Sequence, residues 1–365
     1  MKENKERIRE ITIAPQTSIL TALKKMDELQ AKLLLVMDDK QFVGLLSIGD
    51  IQRGIIKNVS VDAPIGNIIR QNGILVAKPD EDFEIIKNRM LQYRTECMPV
   101  VSEGATLERV YFWEEVFGYD KKIPSADLGL PVVIMAGGKG SRLKPITNVL
   151  PKPLIPVGDK TILEHILDRF VAVNCHSFVM TVNYKAEMIR HYFDTLNNSQ
   201  YQLEYIHEEN FLGTAGSLYL LKGKITKPFF VSNCDIIIDC DYSEIYKYHQ
   251  ENKNEITIVG VLKHYPIPYG VLETKEGGML QSIQEKPEYT FKINSGMYIL
   301  EAHLLDEIPE NQHFHITELI EKVRLRNGRI GVFPVSEGAW MDIGEWSEYN
   351  KTVQKLGFKD IVSIR

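Results

Sequence analysis

The chain has 365 residues, 44% of them hydrophobic and 25% charged, with a formal net charge of -6. The length leaves room for two or three domains with real cores, and the composition is ordinary for a globular protein. A negative total excludes a general polyanion binder, so nucleic acid is not an expected partner and any bound anion should be held by a local basic site.

The opening "MKENKERIRE" is charged and carries no apolar h-region, and no run approaches the roughly 18 apolar residues of a membrane span. No secretory signal and no membrane partner are therefore expected, and the expected location is cytoplasmic. The four cysteines, Cys97, Cys175, Cys234 and Cys240, lack CxxC or Cys/His ligand spacing. They are expected to be reduced, mostly buried thiols.

In chain order, "TSILTALKKMDELQ" places Ile19, Ala22, Leu23, Met26 and Leu29 at helical spacing behind Thr17 or Ser18 as N-cap. "KLLLVMD" and "FVGLLSI" read as strands joined by a polar turn at residues 38–41, and "GDIQRGIIK" begins another helix. The same order returns in "DEDFEIIKNRMLQYR", "CMPVVSE", "LERVYFW" and "EEVF", an internal repeat of about sixty residues.

This tandem resembles a pair of CBS motifs over roughly residues 8–120, most specifically in "GLLSIGDIQR", residues 44–53. The resemblance implies that Ser47 and Asp50 hold the phosphate and ribose of an adenine nucleotide. In the second copy the matching positions are Phe112 and Glu115. A phenyl ring cannot hydrogen-bond a phosphate, so at most one ordinary site is implied. A pair that serves only to dimerise the protein is the alternative, and a homodimer or higher homo-oligomer is the expected assembly.

The stretch "GYDKKIPSADLGLP", residues 118–131, is polar with Gly and Pro at both ends and reads as a seam. The expected organisation is a smaller α+β domain over residues 1–122, a linker over 123–130 and an α/β domain over 131–365. Beyond the seam, "PVVIMAGG", "SFVMTVN", "LEYIHEE", "PFFVSNCD" and "ITIVGVL" are strand candidates. They alternate with helical stretches "ILEHILDRFVAV", "AEMIRHYFDTL" and "GTAGSLYLLKG". Such alternation predicts a mostly parallel sheet with helices on both faces and ligands at the carboxyl ends of its strands.

There lies "MAGGKGSRLKP", residues 135–145. Glycines after a strand let the backbone approach a ligand and present amides to phosphate oxygens, and Lys139, Arg142 and Lys144 add the charge a polyphosphate needs. Neither Gly-x4-Gly-Lys-(Ser/Thr) nor Gly-x-Gly-x-x-Gly fits the loop.

From "AGGKGSRLKPITNVLPKPLIPVGDKTILEHIL" the chain resembles the sugar nucleotidyltransferases. The likeness continues through "EENFLGTAGSL", "NCDIII", "YGVLE", "EKP", "NSGMYIL" and "WMDIGEW". It spans residues 131 to about 360 and implies a Rossmann-like domain, a mostly parallel mixed sheet covered on both faces. It further implies that Ala136, Gly137, Gly138 and Lys139 approach the nucleotide, that Arg142 gathers its triphosphate, and that Lys152 lies near the reacting phosphates. Asp235 and Asp342 resemble a carboxylate pair that holds Mg²⁺. Glu285 and Lys286 would bind sugar hydroxyls and sugar phosphate, with Gly270 and Asn294 completing that pocket. Trp340 reads as packing support for Asp342, and the nine histidines, including His313 and His315, as ordinary surface or core residues.

The chemistry suits these residue types. A phosphate monoester with a second pKa near ~6 is already a nucleophile at neutral pH, so the task is alignment and charge stabilisation rather than proton abstraction. The segment "HEENFLGTAG" is where this family reads the base. A carboxylate at Glu208, with backbone near Leu212 and Gly213, suits the adjacent N–H donors of guanine, whereas pyrimidines present carbonyls. GTP is the expected nucleotide, with thymidylyl or uridylyl transfer as rivals.

The order CBS pair then transferase resembles bacterial glucosamine-1-phosphate guanylyltransferases of legionaminic acid synthesis. Glucosamine 1-phosphate is the expected acceptor, with mannose or heptose phosphates behind it. No appended left-handed β-helix domain is expected. The reading from another class is a non-catalytic sensor that binds nucleotide through the CBS pair, against which stand the intact Arg142, Lys152, Asp235 and Asp342.

Overall fold

A computed structural model describes residues 2–70, 74–118 and 127–356. The chain divides into two compact units, Met1–Pro124 and Ser125–Arg365. Residues 119–126, the first part of the expected seam, lie outside the described residues. Residues 127–130 pack onto the second unit: the Leu128 amide donates to Val173 O at 3.0 Å, and Leu130 is buried in that unit's core.

The first unit carries the repeat foreseen from the hydrophobic spacing. After α1 (Lys2–Glu10), the first copy runs β1 (Thr12–Ile13), α2 (Ile19–Leu29), β2 (Leu33–Asp38), β3 (Gln41–Ser47) and α3 (Ile48–Ile56). Ser18 caps α2 by accepting from the Thr21 amide, and Ile19, Ala22, Leu23 and Met26 form its buried face. The second copy runs α4 (Phe83–Tyr93), β4 (Cys97–Val101), β5 (Leu107–Phe112) and α5 (Trp113–Phe117), with Asp82 capping α4. Pairing repeats too. β1 lies parallel to β2 and antiparallel β3 follows, while Ala77 bridges Val100 in parallel and β5 follows antiparallel to β4.

The second unit is built on β6 (Val132–Ala136), the short hairpin β7 (Pro156–Val157) and β8 (Lys160–Thr161), α6 (Ile162–Val171), β9 (Ser177–Val182), α7 (Ala186–Leu196) and β10 (Gln202–His207). Then come β11 (Phe229–Asn233), β12 (Ile236–Ile238), α8 (Tyr242–Glu251), β13 (Ile256–Pro266), β14 (Val271–Thr274), β15 (Leu280–Gln284) and β16 (Glu288–Leu300). The described residues end with α9 (Ile316–Leu325), β17 (Ile330–Ser336), β18 (Trp340–Asp342) and α10 (Trp346–Lys355).

Seven strands form one sheet in the order β10-β9-β6-β11-β16-β13-β17. Only β16 runs antiparallel to its neighbours; the other adjacent pairs are parallel. Successive residues of β6 feed opposite cores. Val132 and Ile134 enter one with Phe170, Ile189 and Ile245, and Val133 enters the other with Leu218, Leu304 and Leu319. A sheet buried on both faces explains why "VVIMA" is apolar throughout rather than alternating. The stretch "GTAGSLYLLKG" departs from expectation: it winds as a 3₁₀ segment, Gly216–Leu221, because its start is pinned by the amides of Ala215 and Gly216 to Phe314 O, each at 3.0 Å.

The cysteines are free thiols, three buried and Cys240 half-buried. Burial pushes Cys97 and Cys234 up to about 12 and Cys175 to about 11, which keeps them protonated and poor nucleophiles.

One ion network sets a pH dependence. Hydrogen bonds from Arg326, against an opposing burial effect and aided by His303, hold the Glu255 carboxyl down at about 2 from 4.5. A depressed carboxyl contributes stability that is full above the unfolded value and lost as pH falls through the folded one. The Glu255 contribution should therefore disappear between about pH 4.5 and about 2. Urea unfolding of Glu255→Gln across that window should show a shallower loss of stability with acid than the parent.

Candidate active site

The parallel strands β10, β9, β6 and β11 end in register: Val182 pairs with both His207 and Ala136, and Met135 pairs with Asn233. Gly137, Asn183, Glu208 and Asp235 each follow a strand end by one or two residues. They therefore gather along one edge of the sheet.

Gly137 is where the loop and the end of β10 meet. A Cβ there would stand 2.9 Å from Glu208 Oε1, so only glycine lets the carboxylate come this close. Glu208 is 2% exposed. Its backbone is locked at both ends, the amide donating to Val182 O at 2.9 Å and the carbonyl accepting from Asn183 Nδ2 at 2.6 Å. Among the described residues its carboxylate accepts one long hydrogen bond, from the Leu212 amide at 3.5 Å. A buried carboxylate so weakly satisfied has acceptor capacity left for a ligand's donors.

Gly213 and Gly216 seat the next turn. Gly213 has φ +83, and an added Cβ would lie 2.7 Å from Phe314 O. The Phe314 amide donates to Leu212 O at 2.9 Å. The His313 to His315 stretch, read from sequence as ordinary residues, thus supplies through its main chain the support under this turn.

On the other side of the loop Gly138 and Lys139 are exposed, and Gly140 sits at φ +61 against Thr147 and the Lys152 stem. The Thr147 hydroxyl is buried there with no hydrogen-bond partner among the described residues. Lys152 is no solvated loop charge. It opens a buried 3₁₀ turn, Lys152–Leu154, is 9% exposed, and its ammonium pairs with Asp235, also 9% exposed.

The ribbon β12–β18 places Ile236 opposite Asp342, and the Ile343 amide donates to Asp235 O at 2.9 Å, which sets the two aspartates side by side. Burial first, and then the Asp235 charge, raise the pKa of Asp342 against the Gly344 amide, Lys152 and Arg142. The Gly344 amide donates to Asp342 Oδ1 at 2.6 Å. A Cβ on Gly344 would lie 2.9 Å from that oxygen and 3.3 Å from Arg142 Nη2, so Arg142 closes over the same spot. The exposed Arg142 also reaches Glu345 at 3.4 Å.

Glycines, Glu208, Lys152, Asp235, Asp342 and Arg142 therefore belong to one strand-end edge. The expected sugar residues lie around the β14–β15 hairpin and on β16, the strand that pairs with β11. Gly270 and Glu285 meet at the base of the β14–β15 hairpin, where a Cβ on Gly270 would be 3.0 Å from Glu285 Oε2, and Lys286 follows at φ 46. Asn294 lies on β16 opposite Gly260, its amide donating to Tyr298 Oη at 2.7 Å. Asn183, Thr147, Phe314 and Glu345 were not anticipated. The glycine spacing in "LGTAG" hints at a close approach but not at its partner.

Among the described residues no three His, Cys, Asp or Glu side chains cluster as a metal cage. Two adjacent carboxylates of like charge still fit a hard divalent cation, because Mg²⁺ commonly takes one or two carboxylates plus phosphate and water oxygens.

In the first unit Ser47 and Asp50 form a capping box at the start of α3. Burial would raise the Asp50 carboxyl, but bonds from the Ser47 hydroxyl and amide and from Arg70 and Arg53 outweigh it and hold it below its ordinary value. At the matching place of the second copy, the Asn4 amide donates to Glu115 at 2.8 Å and Arg7 lies 3.8 Å over the Phe112 ring.

Residues 131–357 match the family model described as nucleotidyl transferase, and residues 7–57 match the CBS domain model. Mannose-1-phosphate guanylyltransferase catalytic subunit beta of Drosophila melanogaster is 32% identical over 62% of this chain and 62% of its own length. The mannose-1-phosphate guanylyltransferase of Mycobacterium tuberculosis is 29% identical over 58% and 60%. The chain thus spans about three fifths of the length of these curated relatives. A solved structure of HddC from Yersinia pseudotuberculosis, complexed with GMP-PN, is 26% identical with a TM-score of 0.50, covering 62% of this chain and 99% of that one.

Proposed function

The chain belongs to the nucleotidyl transferase family, and from that premise we propose that its second unit transfers a guanylyl group from GTP to a sugar 1-phosphate in a Mg²⁺-dependent reaction. In this reaction an oxygen of the sugar phosphate bonds to the α-phosphorus of GTP. The bond from that phosphorus to the bridging oxygen breaks, and pyrophosphate leaves. The sugar phosphate dianion needs no base.

The observation that carries the reading is the buried Glu208 carboxylate over Gly137, on the same strand-end edge as Lys152, Asp235 and Asp342. Glu208 would accept from N1–H and N2–H of guanine, with the Leu212–Gly213 turn bracing the base. Amides of the 137–140 loop and Arg142 would gather the triphosphate, and Lys152 would neutralise charge at the α-phosphate. Asp235 and Asp342 would hold Mg²⁺, which when bound offsets phosphate charge and fixes the approach of the two anions. Gly270, Glu285, Lys286 and Asn294 would bind the sugar phosphate.

The names of the relatives favour mannose 1-phosphate, and the CBS-then-transferase order favours glucosamine 1-phosphate. Pyrophosphate release measured across the common NTPs against glucosamine, N-acetylglucosamine, mannose and glucose 1-phosphates tests base and sugar together. Strong release with GTP and one hexose 1-phosphate is expected. Release confined to dTTP or UTP would overturn the guanine assignment, and a blank grid would overturn these hexose acceptors and move the reading to an unusual sugar such as a heptose phosphate or to the non-catalytic sensor. Ser47 and Asp50 would contribute to an adenine nucleotide site only if Arg53 and Arg70 turn from Asp50 towards the ligand. A homodimer is the proposed assembly.

A further inference from the structure

We infer that Lys152 is a resident counter-cation: in the free protein its ammonium stands where a divalent cation would bind Asp235, and it is released to the substrate phosphates only when that carboxylate is taken. The inference rests on the proposed metal role of Asp235 and Asp342.

The ammonium of Lys152 pairs with Asp235 Oδ2, and both side chains are nearly buried, at 11% and 13% exposed. The pair is not a surface accident, because both ends are fixed. Lys152 is held between Pro151 and Pro153 in a buried turn, with its stem against Gly140 of the phosphate loop. Asp235 is held by its own carbonyl, which accepts from the Ile343 amide next to Asp342.

Two carboxylates this close, one nearly buried, need a positive charge in the absence of substrate, since an uncompensated buried charge is strongly destabilising. Lys152 is the cation that meets that need at Asp235, while the exposed Arg142 reaches Glu345 and acts on the Asp342 side. The ammonium has three N–H donors, but its single charge, already compensated by Asp235, attracts an anionic phosphate less strongly than a free ammonium would. A lysine bonded to Asp235 is thus withheld from the α-phosphate until Asp235 has another partner. The order of events follows. The nucleotide arrives with its cation, Lys152 leaves Asp235, and the basic group reaches the reacting phosphate only in the loaded site. Premature binding of a lone phosphate at Lys152 is disfavoured by the same contact.

The consequence runs against intuition about a basic residue in a phosphate site: removing Lys152 should tighten metal binding while abolishing turnover. The test is titration of free Mn²⁺, read by electron paramagnetic resonance, into full-length protein without nucleotide. The proteins compared are the parent, Lys152→Gln and Lys152→Arg, with thermal melts to confirm folding. Lys152→Gln is expected to bind Mn²⁺ about tenfold more tightly than the parent, since a competing charge at the carboxylate is gone. Lys152→Arg, which keeps the charge, should stay close to the parent or bind more weakly.

Unchanged or weaker Mn²⁺ affinity in a folded Lys152→Gln overturns the counter-cation role while leaving the metal site standing. Tighter binding by Lys152→Arg equal to that of Lys152→Gln overturns it as well. Full turnover of the parent in excess chelator overturns the metal reading itself, and the inference with it.

Discussion

Asp235→Asn is expected to lower turnover by about a thousandfold, the scale seen when a preorganised charge at a reacting centre is removed. The substitution keeps the shape of the side chain but removes half of the carboxylate pair on the β12–β18 ribbon. It also leaves the Lys152 ammonium facing a neutral amide in a nearly buried place. Breaking a buried pair from one side commonly costs several kcal/mol, so a lower melting temperature should accompany the lost activity. GTP binding measured without metal should survive, because the glycine loop and Glu208 are untouched. Retained turnover in this variant would remove the proposed metal site.

Glu208→Gln is expected to lower kcat/KM for GTP by roughly 30-fold, equivalent to about 2 kcal/mol for hydrogen bonds made to a charged rather than a neutral acceptor. The substituted amide can accept through one atom only, and its NH₂ would face a donor of guanine. The change should narrow the preference for GTP over UTP without changing the melting temperature by more than a degree or two, since the backbone bonds of Glu208 to Val182 and Asn183 remain. The readout is competition between GTP and UTP in one reaction. An unchanged preference would assign base reading to the main chain of the 212–216 turn.

Much of this arrangement was legible before any coordinates. The repeat of the first unit follows from apolar spacing, because Ile19, Ala22, Leu23 and Met26 on α2 and Ile86 and Met90 on α4 bury local stripes that the helical period alone predicts. Gly137 was legible as a glycine directly after an apolar strand run, and Gly213 through the resemblance of "HEENFLGTAG" to a base-reading segment. What was not legible depends on partners far along the chain. Nothing in "PKP" says that its lysine turns inward to an aspartate after β11, and "HFH" is silent about a main chain that braces the 212–216 turn. Asn183 is one residue past a strand, an unremarkable place until β10 is set beside β9. The first unit shows the same limit. Ser47 and Asp50 resemble ligand groups, yet their hydrogen bonds are spent on a helix cap and on Arg53 and Arg70, and only the fold brings Arg70 there.

The β12–β18 ribbon also bears on how the chain acquires activity. Its two strands are separated by about a hundred residues, and such non-local pairings close late because the intervening loop entropy must be met first. During synthesis the glycine loop, Lys152 and Glu208 emerge and can pack on β6, β9 and β10 while Asp342 is still unmade. Transfer competence should therefore appear abruptly, only after β18 has paired beside β12. Chains arrested before residue 342 would be compact at the nucleotide edge and yet chemically silent.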